Sequence, residues 1–352
     1  MNRHVKNVFT IFKYPKKNVN AVIAQIGKYK KSDYIVFYNP ECLGIMNATK
    51  ELFKNTISLS EIFNKKAIEN IANAIVENKI KQVIFATQAH GYKALVEKIK
   101  EKDENILIKF MWHGNHSNFV NKNEEYFLES ILDLEKRGIV TSIGFVKESM
   151  AKFYSLKGYN SYFVMNTVNS IDNKKVQKND EKKNRVGIYA AGNRWEKNTY
   201  NQLSACSLVD KDIVVDTVPA TPLFKSYCKL MNIKYDEESL VNGSIPREEL
   251  INRMANNTVN LYATFTECAP IIPLESFEVG VPCVVGDNNH YFNNTKLEKY
   301  VVVKSEDSID EIAEKMRLCI ENKEEILKLY KEWKKEYDVK SKNSVIEFLK
   351  IN

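Results

Sequence analysis

The chain is 352 residues long, 44% hydrophobic and 28% charged, with 12 Gly and 8 Pro, which suits two α/β domains or one large one and leaves disorder, collagen and coiled coil without support. Its formal charge of +7 is concentrated in the first half, where residues 1–180 hold 28 Lys and Arg against 18 Asp and Glu while residues 181–352 hold 24 against 27; that is mild for a nucleic-acid binder, and no recognition motif accompanies it. No stretch reaches the roughly 18 apolar residues of a spanning helix, and the N-terminal MNRHVKNVFTIF lacks the apolar core and cleavage site of a secretory signal, so a cytoplasmic location is expected.

Apolar runs alternate with amphipathic stretches from the start. NVFTIF (7–12) and DYIVFYN (33–39) read as strands. A helix is expected over 66–79, then strand QVIFAT (82–87), helix 92–102, strand ILIKFMW (106–112) and helix 123–137, whose acidic first turn suits its dipole. Strand 138–145, helix 147–158 and strand 161–168 complete a further unit. Strands separated by helices of this length mean parallel sheet with right-handed crossovers. The composition then changes: NSIDNKKVQKNDEKKN (169–184) is nearly all charged or polar and reads as a solvated linker. The alternation restarts with strand RVGIYAAG (185–192), helix 198–208, strand 212–218, helix 222–231, the turn NGSIP (242–246), helix 247–257, strand 259–265, helix 271–279, strands 282–287 and 300–303, and helix 307–321. The tail (324–350) reads as one or two basic amphipathic helices.

The expected domains are therefore 1–168, linker 169–184, 185–335, and a C-terminal helix 336–352 that can cross back to the first domain. Both domains are Rossmann-like and parallel, with a ligand cleft lined by carboxyl ends of strands. The six cysteines (Cys42, Cys206, Cys228, Cys268, Cys283, Cys319) stand singly, without a CxxC pair; they read as reduced core thiols, and neither a disulfide framework nor a metal site is expected.

Chemistry concentrates in TFTECAPIIPLESFEVGVPCVVGD (264–287). A strand ends at Phe265, a turn carries Glu267, and a helix begins after Pro270, whose missing N–H costs nothing there. The amides of Ile271 and Ile272 and the positive end of the helix dipole make a seat for phosphate. Glu275 follows Glu267 by eight positions, so the two carboxylates flank the helix start, where each can accept charge-assisted hydrogen bonds from vicinal hydroxyls. Gly280 closes the helix as a left-handed cap and Pro282 prevents its continuation. Two glutamates taken alone read as well as solvated surface charges.

In context the segment resembles the E-x7-E motif of the retaining family-4 glycosyltransferases (glycosyltransferases group 1) with GT-B fold. NGSIPREELINRMANNTVNLYATFTE (242–267) and RVGIYAAGNRWEKN (185–198) resemble the family's segments before it, and FMWHGNHS (110–117) its first-domain strand ending in His. The resemblance implies that Glu275 holds the nucleotide ribose and Glu267 touches the transferred sugar. Arg194 and Lys197 would neutralise the diphosphate beside Gly192 and the amides of Ile271 and Ile272. The NGSIP loop with Ile245 would meet the base, and His113 would lie near the reacting sugar. It implies an acceptor on the first domain and a nucleotide-diphosphate-sugar donor on the second, retention of anomeric configuration, no metal and no further cofactor. Three departures stand out. Arg194 and Lys197 are only three apart; Cys268, Ala269 and Pro270 replace the usual glycines; and Phe12-Lys13-Tyr14-Pro15-Lys16-Lys17 stands where a glycine-rich loop is expected.

His90 and His116 occupy other loops after first-domain strands, and His290 one in the second domain. The first-half clusters Lys13, Lys16, Lys17 and Lys28, Lys30, Lys31 fit either a solvated face or peripheral contact with the inner face of an anionic membrane carrying a lipid-linked acceptor. The expected function is transfer of a sugar from the donor to a glycan or lipid-linked acceptor in surface polysaccharide or glycoconjugate synthesis. The alternatives are a GT-B nucleotide-sugar epimerase and a non-catalytic nucleotide-sugar-binding or scaffold protein.

Overall fold

The computed structural model describes residues 16–62, 64–172, 174, 176–177, 184–189, 194–237, 240–241 and 243–350. The chain divides into two compact units, Met1–Asn166 with Lys342–Asn352, and Thr167–Ser341. The first carries α1 (Lys16–Lys28), β1 (Ile35–Tyr38), α2 (Leu43–Leu52), β2 (Thr56–Ser58), α3 (Lys65–Glu77), β3 (Gln82–Phe85), α4 (Tyr92–Lys102), β4 (Leu107–Trp112), α5 (Lys122–Lys136), β5 (Ser142–Phe145), α6 (Glu148–Leu156) and β6 (Ser161–Phe163). The second carries β7 (Arg185–Ile188), α7 (Thr199–Val209), β8 (Val214–Thr217), α8 (Pro222–Leu230), β9 (Lys234–Tyr235), α9 (Arg247–Ala255), β10 (Val259–Tyr262), α10 (Ile272–Glu278), β11 (Cys283–Gly286), α11 (Glu298–Val301), β12 (Val302–Val303) and α12 (Ile309–Glu321). A final helix, α13 (Lys323–Leu349), begins in the second unit, and its last residues group with the first.

Each unit is built on a six-stranded, wholly parallel sheet, in the order β2-β1-β3-β4-β5-β6 and β12-β11-β10-β7-β8-β9. The central strands β1, β3, β5, β7, β10 and β11 are buried at every position. That burial explains why they read as unbroken apolar runs: a parallel sheet is covered on both faces. In the first unit the register brings Phe37 opposite Phe85 and Phe85 opposite Phe110. Their rings form a ladder with centroids 5.5 and 4.9 Å apart. Helix positions at three-and-four spacing cover it, among them Val19, Val22 and Ile26 of α1 and Ile68, Ile71 and Ile75 of α3.

Four elements lie outside the sequence expectations: α1, α2, β2 and β9. The strands among them are two or three residues long, too short for a period to show. The expected strand 7–12 falls outside the described residues. The expected strand YVVV splits, because Leu297, Tyr300 and Val301 bury one face of α11 before the chain extends at Val302; a run of four apolar residues does not distinguish a buried turn of helix from a strand. The tail is a single helix. The linker is less solvated than its composition implies, for Ile171 and Val176 pack on the cluster of Tyr189, Val218 and Met254, and the units divide at 166/167.

In the second sheet the chain leaves β7 for β8 and β9 on one side, then returns to β10, β11 and β12 on the other. The switch point of strand order lies between β7 and β10, and crevices outside the carboxyl ends of such strands are where ligands of open α/β sheets bind.

Candidate active site in the second unit

Two segments leave that switch point. After β7 the chain forms a single 3₁₀ turn, Trp195–Lys197, and after β10 it carries Glu267. The turn ends at Asn198, which is left-handed (φ 53°). Its side-chain amide donates to the Ala263 carbonyl at 2.8 Å and to the Glu306 carbonyl. Gln202 in α7 completes the brace, donating to the Lys197 carbonyl at 2.9 Å and accepting from the Ala263 amide at 3.0 Å. Short polar bonds thus tie the turn to the end of β10 before any ligand arrives.

That brace aims Lys197 inward. It is 4% exposed, and its ammonium pairs with the Glu267 carboxylate. The Tyr262 hydroxyl closes the triangle, accepting from Lys197 at 3.2 Å and donating to Glu267 at 2.9 Å. Burial, reinforced by the adjacent Glu267 charge, holds the Tyr262 phenol well above its ordinary pKa, so it remains a neutral donor. A buried charge pair of this kind costs desolvation that only good geometry and extra hydrogen bonds repay.

Glu275 lies in the first turn of α10 and its side chain is 2% exposed. The Arg247 guanidinium at the start of α9 donates to it. Below, a buried polar chain fixes α10 on the sheet: Asn257 donates to the Tyr189 hydroxyl at 2.7 Å and to Asn260 at 2.8 Å, Asn260 donates to Ser276 at 2.7 Å, and Tyr189 donates to Asp216 at 2.8 Å. Gly187 of β7 is required by this chain, since a Cβ there would stand 2.1 Å from the Asn260 oxygen. Gly280, at φ +81°, closes α10 as expected. Ile271 is the N-cap residue and has no capping side chain. Among the described residues neither its amide nor that of Ile272 meets a hydrogen-bond acceptor. Cations, free amides and two carboxylates on one sheet edge can take phosphate oxygens and sugar hydroxyls.

The expected residues divide accordingly. Lys197 and Glu267 are brought into direct contact, and Glu275 and the Ile271–Ile272 amides stand at the start of α10 as the spacing implies. Ile245 and Ile272 pack together on the Tyr189 cluster. Arg194 does not join the buried pair: it is half exposed and binds Glu196 at 3.2 Å. Gly192 lies outside the described residues. His113 belongs to the first unit, after β4; it is half-buried with Nε2 enclosed and without a partner among the described residues, and burial lowers its pKa to about 4. Among the other histidines, His116 bonds the Tyr154 hydroxyl at 3.0 Å, His290 bonds Tyr337 at 2.9 Å, and the ring of His90 lies 5.3 Å from that of Phe127. Arg247, Tyr262 and Asn198 were not legible as site residues. Arg247 opens a helix like any surface arginine, and Tyr262 sits within a buried strand.

Residues 170–337 match the family model of the glycosyl transferases group 1. The chain as a whole has the GT-B fold. It resembles an α,α-trehalose-phosphate synthase (UDP-forming) from Burkholderia xenovorans in complex with glucose-6-phosphate, at 8% identity and TM-score 0.60, over 90% of this chain and 99% of that one. It also resembles HepE of Anabaena in complex with UDP and glucose, at 11% identity and TM-score 0.58, over 94% and 95%. A variant of TarM from S. aureus, solved with Fondaparinux, alpha-GlcNAc-glycerol and UDP, shares 12% identity at TM-score 0.55, over 80% of this chain and 58% of that one. No curated protein sequence matches the chain.

Proposed function

We propose that the protein transfers a sugar from a nucleotide-diphosphate-sugar donor, bound by the second unit, to a glycan or lipid-linked acceptor, with retention of anomeric configuration. The contact of Lys197 with Glu267 at the β7/β10 switch point carries the reading. Breaking a sugar–diphosphate bond loads negative charge on the leaving oxygen, and a fixed ammonium with the amides of Ile271 and Ile272 offsets that charge. When diphosphate occupies Lys197, Glu267 is released to accept hydrogen bonds from the sugar's hydroxyls. Glu275, already held by Arg247, is oriented toward the ribose hydroxyls. In a retaining reaction the acceptor attacks from the face the diphosphate leaves, and the leaving phosphate takes the acceptor's proton. HepE and TarM were solved with UDP, which favours a uridine donor. A role in surface polysaccharide or glycoconjugate synthesis follows from the acceptor class.

The test is donor turnover, by hydrolysis and by transfer, across a panel of nucleotide sugars. Lys197→Ala and Glu267→Gln should each lower kcat by roughly 10²- to 10³-fold while the folded far-UV signal persists. Nucleotide binding without any turnover would support the scaffold reading instead. Isomerised donor without acceptor would mean an epimerase.

A further inference from the structure

Beside the buried pair stands a side chain with no role in the reading above. Trp195 is 64% exposed, an unusual position for the largest amphipathic side chain. Its backbone is held nonetheless, and one aromatic ring lies behind it. Its carbonyl accepts from Asn198 at 3.0 Å, the neighbouring Glu196 carbonyl accepts from the Phe265 amide at 2.9 Å, and the Phe265 ring backs the indole at 6.0 Å with a 31° tilt. The platform therefore moves with the ends of β7 and β10, two residues from Lys197 on one segment and two from Glu267 on the other. It is flanked by a polar pair, Arg194 with Glu196 at 3.2 Å, 49% and 21% exposed. Arg194 is also close enough to Tyr262 to act on its hydroxyl electrostatically.

We propose that Trp195, backed by Phe265, is a stacking platform for the apolar face of a pyranose ring, with Arg194 and Glu196 taking hydroxyls at the ring's edge. The axial C–H bonds of a pyranose carry partial positive charge and fit the negative face of indole, as edges of aromatic rings do. The same ring presents donors and acceptors around its rim, which a carboxylate–guanidinium pair matches. The ring can belong to the donor or to a saccharide acceptor; both present the same chemistry. The inference rests on the proposed donor site and adds a subsite to it.

Fluorescence separates the two claims. Of the other tryptophans, Trp112 is buried at 4% exposure and Trp333 is partly buried in an aromatic cluster against Phe292 and Tyr337, and the difference between parent and Trp195→Phe reports Trp195. Titration with UDP-glucose, UDP-galactose, UDP-N-acetylglucosamine and GDP-mannose, with UDP and GDP as sugar-free controls and glucose and maltose as free saccharides, should quench Trp195 only where a pyranose is present. Quenching by nucleotide sugars assigns the donor ring, and quenching by free saccharides the acceptor. Equal quenching by UDP alone, or none by any probe, overturns the platform. In steady state, Trp195→Ala should raise the KM of the sugar-bearing substrate about tenfold, with Trp195→Phe close to the parent and UDP affinity unchanged. If the parent turns over and Trp195→Ala keeps its KM for donor and acceptor alike, the platform fails while the transferase reading stands; absence of turnover in the parent defeats the latter and leaves the fluorescence arm to judge the former.

Discussion

At the scale of single residues the second unit spends its buried charges in pairs. Lys197 is matched to Glu267 and Glu275 to Arg247, and breaking such a pair leaves a costly group behind. His113 has a different chemistry. Burial holds it neutral down to about pH 4, whereas in the unfolded chain it titrates near 6.5. The unfolded state therefore binds more protons between those values, and stability is full above about 6.5 and falls as pH drops toward 4. His113→Asn should flatten that window, by up to about 3 kcal/mol at roughly 1.36 kcal/mol per unit, in denaturant melts at pH 4.5 and 7. Equal pH slopes for parent and variant would show that the ring is solvated. The closing Gly280 was legible from residue type and spacing, while the roles expected of the two glutamates and Lys197 came from the family resemblance. Arg247 and Tyr262 were not legible, because their importance comes from what a distant segment places opposite them.

At the scale of elements, the end of α13 is held by an unusual device. Lys109 of β4 is 3% exposed and donates to the carbonyls of Phe348 and Lys350, so its positive charge meets the negative end of the helix dipole. Phe348 is wholly buried, its ring edge-on to Tyr162 at 6.0 Å. Burial lowers the Lys109 pKa from 10.5 to about 8. The folded state releases that proton first, so stability rises with pH between about 8 and 10.5. Lys109→Met should abolish that rise and speed amide exchange over residues 345–349 roughly tenfold through the lost charged hydrogen bonds. Unchanged protection would mean that Phe348 alone anchors the helix. Sequence periodicity found the central strands, because burial on both faces writes itself into composition, and most of the helices, though not α1 and α2. It missed β2 and β9 and misread the start of YVVV, where too few residues exist to carry a period.

At the scale of the molecule, the surplus of positive charge lies in the first half of the chain. Lys28, Lys30 and Lys31 are exposed at the end of α1, and each basic side chain near an anionic bilayer contributes about 1 kcal/mol. We expect co-sedimentation with phosphatidylserine-containing vesicles that fades with added salt and weakens when these three are changed to Gln; binding indifferent to anionic lipid content would sink the proposal. No helix among the described residues is long and apolar enough to cross a membrane. By itself the sequence determined two parallel α/β units, since alternation and burial are local properties that a linear reading can see. Only the tertiary structure decided that Lys197 meets Glu267 and that Phe265 stands behind the indole of Trp195. Those facts depend on strand order, which places segments 70 residues apart on one sheet edge, and no local pattern encodes that order.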